Sequence, residues 1–167
     1  DIDLVGVASD GREALTLAES LSPDVVLVDV HLPSVEGLEV TRHVASRLGA
    51  SVVCFTALAD DRTLAQAIEE GAAGFLLKTD SPGLIARAIR SAHNGDALVS
   101  PKLMGTLLRQ LLTRTDAPAA LTPEDRTMLA LVGQGHTNSE IGSTLGLAAS
   151  SVRECVSALL SRFDRLN

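Results

Sequence analysis

From about residue 4 to residue 93, short apolar runs alternate with segments whose apolar residues recur at helical spacing. Leu4-Val5-Gly6-Val7-Ala8 predicts a strand, and Ser9-Asp10-Gly11 a turn. Arg12 to Leu21 then carries Ala14, Leu15, Leu17, Ala18 and Leu21, the period of an amphipathic helix. Ser22-Pro23-Asp24 breaks the chain before Val25-Val26-Leu27-Val28. A continuous apolar run of that kind suits a parallel strand buried on both faces. The pattern repeats, with a helix expected near residues 35–48 and a strand at 51–56. A helix at 61–70, a strand at 74–77 and a helix at 82–93 follow. Strands alternating with helices imply a doubly wound parallel sheet, an α/β fold.

After Asn94-Gly95 the β signal stops. Ser100-Pro101 predicts a helix start, a capping hydroxyl followed by a first-turn proline. Leu103, Leu107, Leu108, Leu111 and Leu112 give that helix an apolar side, and residues 113–120 read as a linker. From Leu121 onward everything reads as helix. Thr122-Pro123-Glu124-Asp125 supplies a cap, a first-turn proline and acids at the positive helix end. Gly133 and Gly135 close that helix, Thr137-Asn138 caps the next, and Gly146 ends it. Ala148-Ala149-Ser150-Ser151 opens a last helix with Val152, Val156, Leu159, Leu160 and Phe163 on one face. Three short helices with a tight turn before the third make a helix-turn-helix plan. The expected division is a first domain over residues 1–97, a linker helix and linker over 98–120, and a helical domain over 121–167.

Length and composition agree with two small domains. The chain has 167 residues, 46% of them hydrophobic but only 2% aromatic, so the core is aliphatic. No apolar run approaches the roughly 18 residues of a membrane span. No basic-then-apolar leader opens the chain, and Cys54 and Cys155 fall in different candidate domains. A reducing cytoplasm is the expected compartment, with no membrane partner. Cys54, inside an apolar strand, reads as a core residue. His31, His43, His93 and His136 show no metal-ligand spacing.

Ligands in open α/β sheets bind beyond the carboxyl ends of the strands. Asp29, Thr56 and Lys78 each stand at the end of a predicted strand, so an acid, a hydroxyl and an amine converge on one edge. A carboxylate can accept a phosphoryl group, a lysine can neutralise its oxygens, and a threonine hydroxyl can bond it. Singly, such residues are more often caps or solvated side chains. Their order and spacing carry the argument. Asp29-Val30-His31-Leu32-Pro33-Ser34-Val35-Glu36-Gly37 resembles the segment around the phosphorylated aspartate of response-regulator receiver domains. Thr56-Ala57 and Gly71-Ala72-Ala73-Gly74-Phe75-Leu76-Leu77-Lys78 extend the likeness. The resemblance implies a flavodoxin-like sheet of order 2-1-3-4-5. It implies Asp29 as phosphoacceptor, Thr56 and Phe75 as the switch pair, and Lys78 as phosphate partner. It also implies Mg²⁺ held by Asp29 and the main-chain carbonyl of His31. The family's first strand and its acidic pair do not occur in this sequence, which opens at the second strand. The expectation is that a stretch precedes Asp1 in the native protein; the alternative is a degenerate receiver that does not use phosphate.

Leu121-Thr122-Pro123-Glu124-Asp125-Arg126 resembles the opening of LuxR-type output domains of the NarL/FixJ group. Residues 135–142 and 145–153 continue the likeness. Arg153, Glu154 and Ser157 lie opposite the apolar stripe of the last helix and are the candidates for base edges. Arg153 can pair with guanine and Glu154 can accept from cytosine; Ser139 and Ser151 can reach phosphates. Charge pulls the other way. The chain carries −7 overall, and from Leu121 on there are four arginines, no lysine and five acids. A single copy should therefore bind DNA weakly. The family also carries a fourth output helix for dimer contacts, and the sequence stops at Asn167 before it. The implied function is a phosphorylation-controlled transcription regulator that is not an enzyme. A sensor histidine kinase, DNA and a second copy of itself are its partners. The rivals are a phosphate-independent protein-interaction module and a doubly wound enzyme. The latter lacks a glycine-rich phosphate loop and a nucleophile–base pair.

Overall fold

The computed structural model describes residues 1–57, 61–103 and 122–164. Its first part contains α1 (Gly11–Leu21), β1 (Val25–Asp29) and α2 (Gly37–His43), which runs on as a π-helical turn at Val44–Leu48. Then come β2 (Ser51–Thr56), α3 (Asp61–Glu69), β3 (Gly74–Leu77), α4 (Pro82–His93) and β4 (Leu98–Val99). The four strands are parallel, in the order β1-β2-β3-β4. Each crossover is a helix, as parallel strands require. Side chains alternate across the sheet. Val52, Cys54 and Phe75 join the core on one face, while Val53 and Leu76 pack on Ala88, Ala92 and Leu98 on the α4 face. The helix starts follow the sequence. Asp10 caps α1 by accepting from the Arg12 and Glu13 amides, and Ser81 caps α4 ahead of Pro82.

Two expectations need correction. Leu4–Ala8 is not a strand, and Leu4, Val5 and Val7 are exposed. A strand exists only with a ladder partner, and among the described residues none pairs with this segment. The same vacancy explains Leu27. It was expected to be buried on both sides, yet it is 42% exposed. β1 is the edge of the sheet, and its outer side opens on a cleft of about 350 Å³ lined by residues 2–8 and Val25–Asp29. The second correction is that the β signal does not stop at Gly95. Leu98 and Val99 pair with Gly74 and Phe75, carrying the sheet two residues past the expected end of the first domain. A two-residue strand is too short to show a period.

Residues 101–103 are helical, in line with the Ser100-Pro101 start; the rest of that helix and the 113–120 linker lie outside the described residues. The second part is all helix: α5 (Pro123–Gly133), α6 (Asn138–Leu145) and α7 (Ala149–Asp164). Thr122 with Asp125, and Thr137 with Glu140, form complete capping boxes. Gly146 takes the left-handed conformation that ends α6. Val152, Val156 and Leu159 are buried as expected, with Met128, Leu129, Val132 and Ile141. The side chains of Leu160 and Phe163 lie outside the described set. The Cys54–Phe75 face of the sheet and this helical core form one continuous apolar cluster, and α3 packs against α7. Among the described residues no helix is long and apolar enough to cross a membrane.

Cys54 is buried with its Sγ 3.4 Å from Thr41 Oγ1. Burial pushes the thiol from its ordinary 9.0 up to about 11. The folded chain therefore keeps a proton that the unfolded chain releases. This contribution is complete below pH 9 and is lost as pH rises through about 11. The loss should reach about 2–3 kcal/mol. Urea midpoints measured from neutral to alkaline pH should fall less steeply in Cys54→Ala than in the wild type. Parallel curves would remove Cys54 as the cause.

Candidate functional site

Three strand ends meet at one edge of the sheet. Asp29 ends β1 opposite Phe55, and Thr56 ends β2 opposite Leu77. Lys78 follows β3 at once, and its amide donates to the Thr56 carbonyl at 2.7 Å. Asp29 is about one-fifth exposed. One of its oxygens accepts from the His31 amide at 3.1 Å, and the other meets Lys78 Nζ at 2.5 Å. The acid and the amine expected to act together are thus in contact. Thr56 is fully buried beside them. Phe75 is also buried, one strand over, on the side facing the helical domain.

The loop after β1 is held from three directions. The Gly37 amide donates to the Val30 carbonyl at 2.9 Å, and the Gly11 amide to the Pro33 carbonyl at 3.2 Å. Ser34, at φ +66, donates its hydroxyl to Asp10 at 3.1 Å. The Glu13 amide, with Ser34 and the Arg12 amide, holds the Asp10 carboxyl below its ordinary pKa. Gly37 is required by close approach. A Cβ there would sit 1.9 Å from the Asp29 carbonyl oxygen. The start of α2 therefore lies directly against the peptide of Asp29.

Mg²⁺ takes six oxygens and usually keeps several waters while binding one or two carboxylates. Asp29 and the His31 carbonyl supply one carboxylate and one carbonyl. Among the described residues no three His, Cys, Asp or Glu side chains gather to hold a metal. Asp29 and the His31 carbonyl would thus fill part of such a shell.

The candidate DNA-facing residues are divided. Glu154 is exposed on α7, and Ser151 and Ser157 are half-buried. Arg153 is exposed, but its Nη2 donates to the Gly95 carbonyl at 2.6 Å. Ser139 is exposed at the start of α6, and its amide donates to both oxygens of Asp96, at 3.1 and 3.3 Å. Arg87, on α4, donates to both oxygens of Glu140 at 2.9 and 2.8 Å and to the Gly135 carbonyl at 3.1 Å. The Thr137 amide, then Arg87 and His136, hold Glu140 below its ordinary pKa. A separate tie joins the loop after β3 to the start of the linker helix: Lys102 Nζ donates to the Thr79 carbonyl and lies 3.7 Å from buried Asp80. Sequence reasoning missed Arg87, Asp96, Asp80 and Lys102. Only Glu140 carried a local signal, as the acid of a Thr-x-x-Glu capping box.

Comparison with known proteins agrees with this geometry. The family model described as the response regulator receiver domain matches residues 1–90. The transcriptional regulatory protein LiaR of Bacillus subtilis (strain 168) is 34% identical over 98% of this chain and 80% of its own. The response regulator protein VraR of Staphylococcus epidermidis is 29% identical over 98% of this chain and 79% of its own. A two-component response regulator of the LuxR family from Aurantimonas superposes with a TM-score of 0.56. It is 28% identical and covers 63% of this chain and 76% of its own. The signal receiver domain of the putative response regulator NarL from Mycobacterium tuberculosis gives 0.54 at 36% identity, covering 56% of this chain and 76% of its own. With a receiver sheet, an acid–lysine pair at its strand ends and these relatives, the chain belongs to the response regulators of the NarL/LuxR group.

Proposed function

We propose that this chain is a phosphorylation-regulated, DNA-binding transcription regulator of a two-component system, with Asp29 as its phosphoacceptor. The observation that carries the reading is the Asp29 carboxylate held between the His31 amide and the Lys78 ammonium, with Thr56 at the next strand end. The names of its relatives, a transcriptional regulatory protein and response regulators, support it. In this reading residues 1–97 are the receiver, 98–120 the linker helix and linker, and 121–167 the output domain.

An Asp29 oxygen attacks phosphorus, the bond from phosphorus to the kinase histidine nitrogen breaks, and an acyl phosphate results. The new group carries about −1.5 to −2 charges. Lys78 transfers its ammonium from the carboxylate to a phosphate oxygen. The Thr56 hydroxyl bonds another, and Phe75 follows that movement at its neighbouring strand. A changed receiver face then favours pairing of two copies. Two output domains on one DNA multiply weak affinities, which answers the shortage of basic residues. Arg153 and Glu154 contact base edges with Ser157 beside them, and Ser139 and Ser151 contact phosphates. Mg²⁺ assists the transfer in receivers; Asp29 and the His31 carbonyl would supply part of its shell. The compartment is the cytoplasm, and the partners are a sensor histidine kinase, DNA and a second copy of the chain.

The test uses the full-length protein with acetyl phosphate or beryllofluoride. Light scattering should show a shift to dimer, and gel retardation should show tighter duplex binding by roughly 10²-fold or more. Arg153→Ala should then weaken specific binding by about 1–3 kcal/mol. A protein that neither pairs nor holds DNA under any donor would instead be a protein-interaction module.

A further inference from the structure

Lysine carries its charge on a flexible four-carbon stem. Where its ammonium sits therefore depends on how its backbone is held. Lys78 is the second residue of a tight turn, Leu77 to Asp80, which is closed from both ends. The Asp80 amide donates to the Leu77 carbonyl at 2.9 Å, and the Leu77 amide donates to Asp80 Oδ2 at 2.9 Å. The Asp80 side chain that accepts this second bond is only 1% exposed. Its other oxygen lies 3.7 Å from Lys102 Nζ, and the same ammonium donates to the Thr79 carbonyl at 2.6 Å. Lys102 thus meets the two residues that follow Lys78. It does so from a fixed base, because the Ser100 amide donates to the Phe75 carbonyl at 2.8 Å and seats the start of the linker helix on β3.

We propose that Lys102 is a positioning residue for phosphoryl uptake, holding the turn from Leu77 to Asp80 so that the Lys78 ammonium stands at Asp29. The inference rests on the reading of Asp29 as phosphoacceptor, and it names a residue away from the strand ends on which that site depends. Lys102 acts through the turn rather than on the reacting atoms. A buried carboxylate is costly once its partner charge is removed. Without Lys102, Asp80 must turn towards water, and the Leu77 amide loses its acceptor. The turn is also released at its middle, where the Thr79 carbonyl is held. Lys78 keeps the bond from its amide to the Thr56 carbonyl but loses the turn that aims its stem. In uptake from acetyl phosphate, an Asp29 oxygen bonds to phosphorus, the bond from phosphorus to the acetyl oxygen breaks, and acetate leaves. Lys78 has to meet the phosphate oxygens during that exchange. Misplacing such a group by about 1 Å costs up to roughly a hundredfold in rate.

The test is the rate of phosphate uptake from acetyl phosphate by the full-length protein, followed as intact mass. Lys102→Met should slow uptake by roughly tenfold or more. Lys102→Arg keeps a cation and N–H donors for the Thr79 carbonyl, and should recover most of the loss. Amide hydrogen exchange at Leu77 should quicken in Lys102→Met and stay near wild type in Lys102→Arg. Asp80→Asn separates positioning from the mere loss of a positive charge near an anionic donor. It keeps an oxygen for the Leu77 amide but leaves no charge to balance, so Lys102→Met should slow uptake much less in that background. Lys102→Gln takes the place of the methionine variant if that one does not fold. Uptake by Lys102→Met at the wild-type rate, or an equal slowing in both backgrounds, overturns the positioning role and leaves Asp29 as acceptor. If the wild type takes phosphate from no donor, the acceptor reading has failed and the role of Lys102 falls with it.

Discussion

Asp29→Asn should leave the full-length protein unable to take up an acid-labile phosphate from a small donor, while it stays folded. The substitution keeps the volume of the side chain and an oxygen for the His31 amide to donate to, at the place where Asp29 now accepts at 3.1 Å. It removes the ion pair with Lys78. That pair is partly solvated, with side chains 43% and 22% exposed, so its loss costs at most about 1 kcal/mol. The chemistry is lost altogether, because a carboxamide oxygen is a poor nucleophile towards phosphorus and, among the described residues, no other acid is paired with Lys78. Intact mass before and after acid treatment reads the result. A phosphate persisting on Asp29→Asn would put the acceptor elsewhere. No phosphate on the wild type from any donor would favour a receiver that works without it.

Gly37→Ala should have the larger effect on stability, about 3 kcal/mol or more. The added Cβ would lie 1.9 Å from the Asp29 carbonyl oxygen and 2.8 Å from Val30 Cα. Both are backbone atoms, one at the end of β1 and one just after it, so neither can swing aside. The start of α2 must back away, breaking the bond from the Gly37 amide to the Val30 carbonyl. Gly83→Ala is the control. It lies in the first turn of α4, where a Cβ meets only Ser81 Oγ at 4.0 Å. There alanine should be neutral or stabilising by up to about 1 kcal/mol. Urea midpoints of the two variants should therefore part in opposite directions. Equal midpoints would show that α2 yields without penalty, and that the Asp29 peptide is not held by it. Where Gly37→Ala remains folded, phosphate uptake should also fall, since the strain falls on the peptide that carries Asp29.

Much of this molecule could be read from sequence because its signals are short in range. The helical periods at Arg12–Leu21 and Pro82–His93, and the apolar runs at Ser51–Thr56 and Gly74–Leu77, each show themselves within a few residues. So do the caps at Thr122 and Thr137, whose hydrogen bonds reach three positions along the chain. The meeting of Asp29 with Lys78 was legible too, because parallel strands linked by helices bring their carboxyl ends to one edge. Pairing across the fold was not. Leu4–Ala8 has the composition of a strand, but only a neighbouring ladder makes a strand. Leu98–Val99 is one because β3 lies beside it. By sequence Arg153 is a candidate for base edges on an outward helix face, yet in the structure the Gly95 carbonyl takes its guanidinium. Asp96 meets Ser139, and Arg87 meets Glu140, across separations of 43 and 53 residues. Local propensity ends within a turn or two of helix, whereas these contacts follow from how two finished domains pack, so only the tertiary structure could decide them.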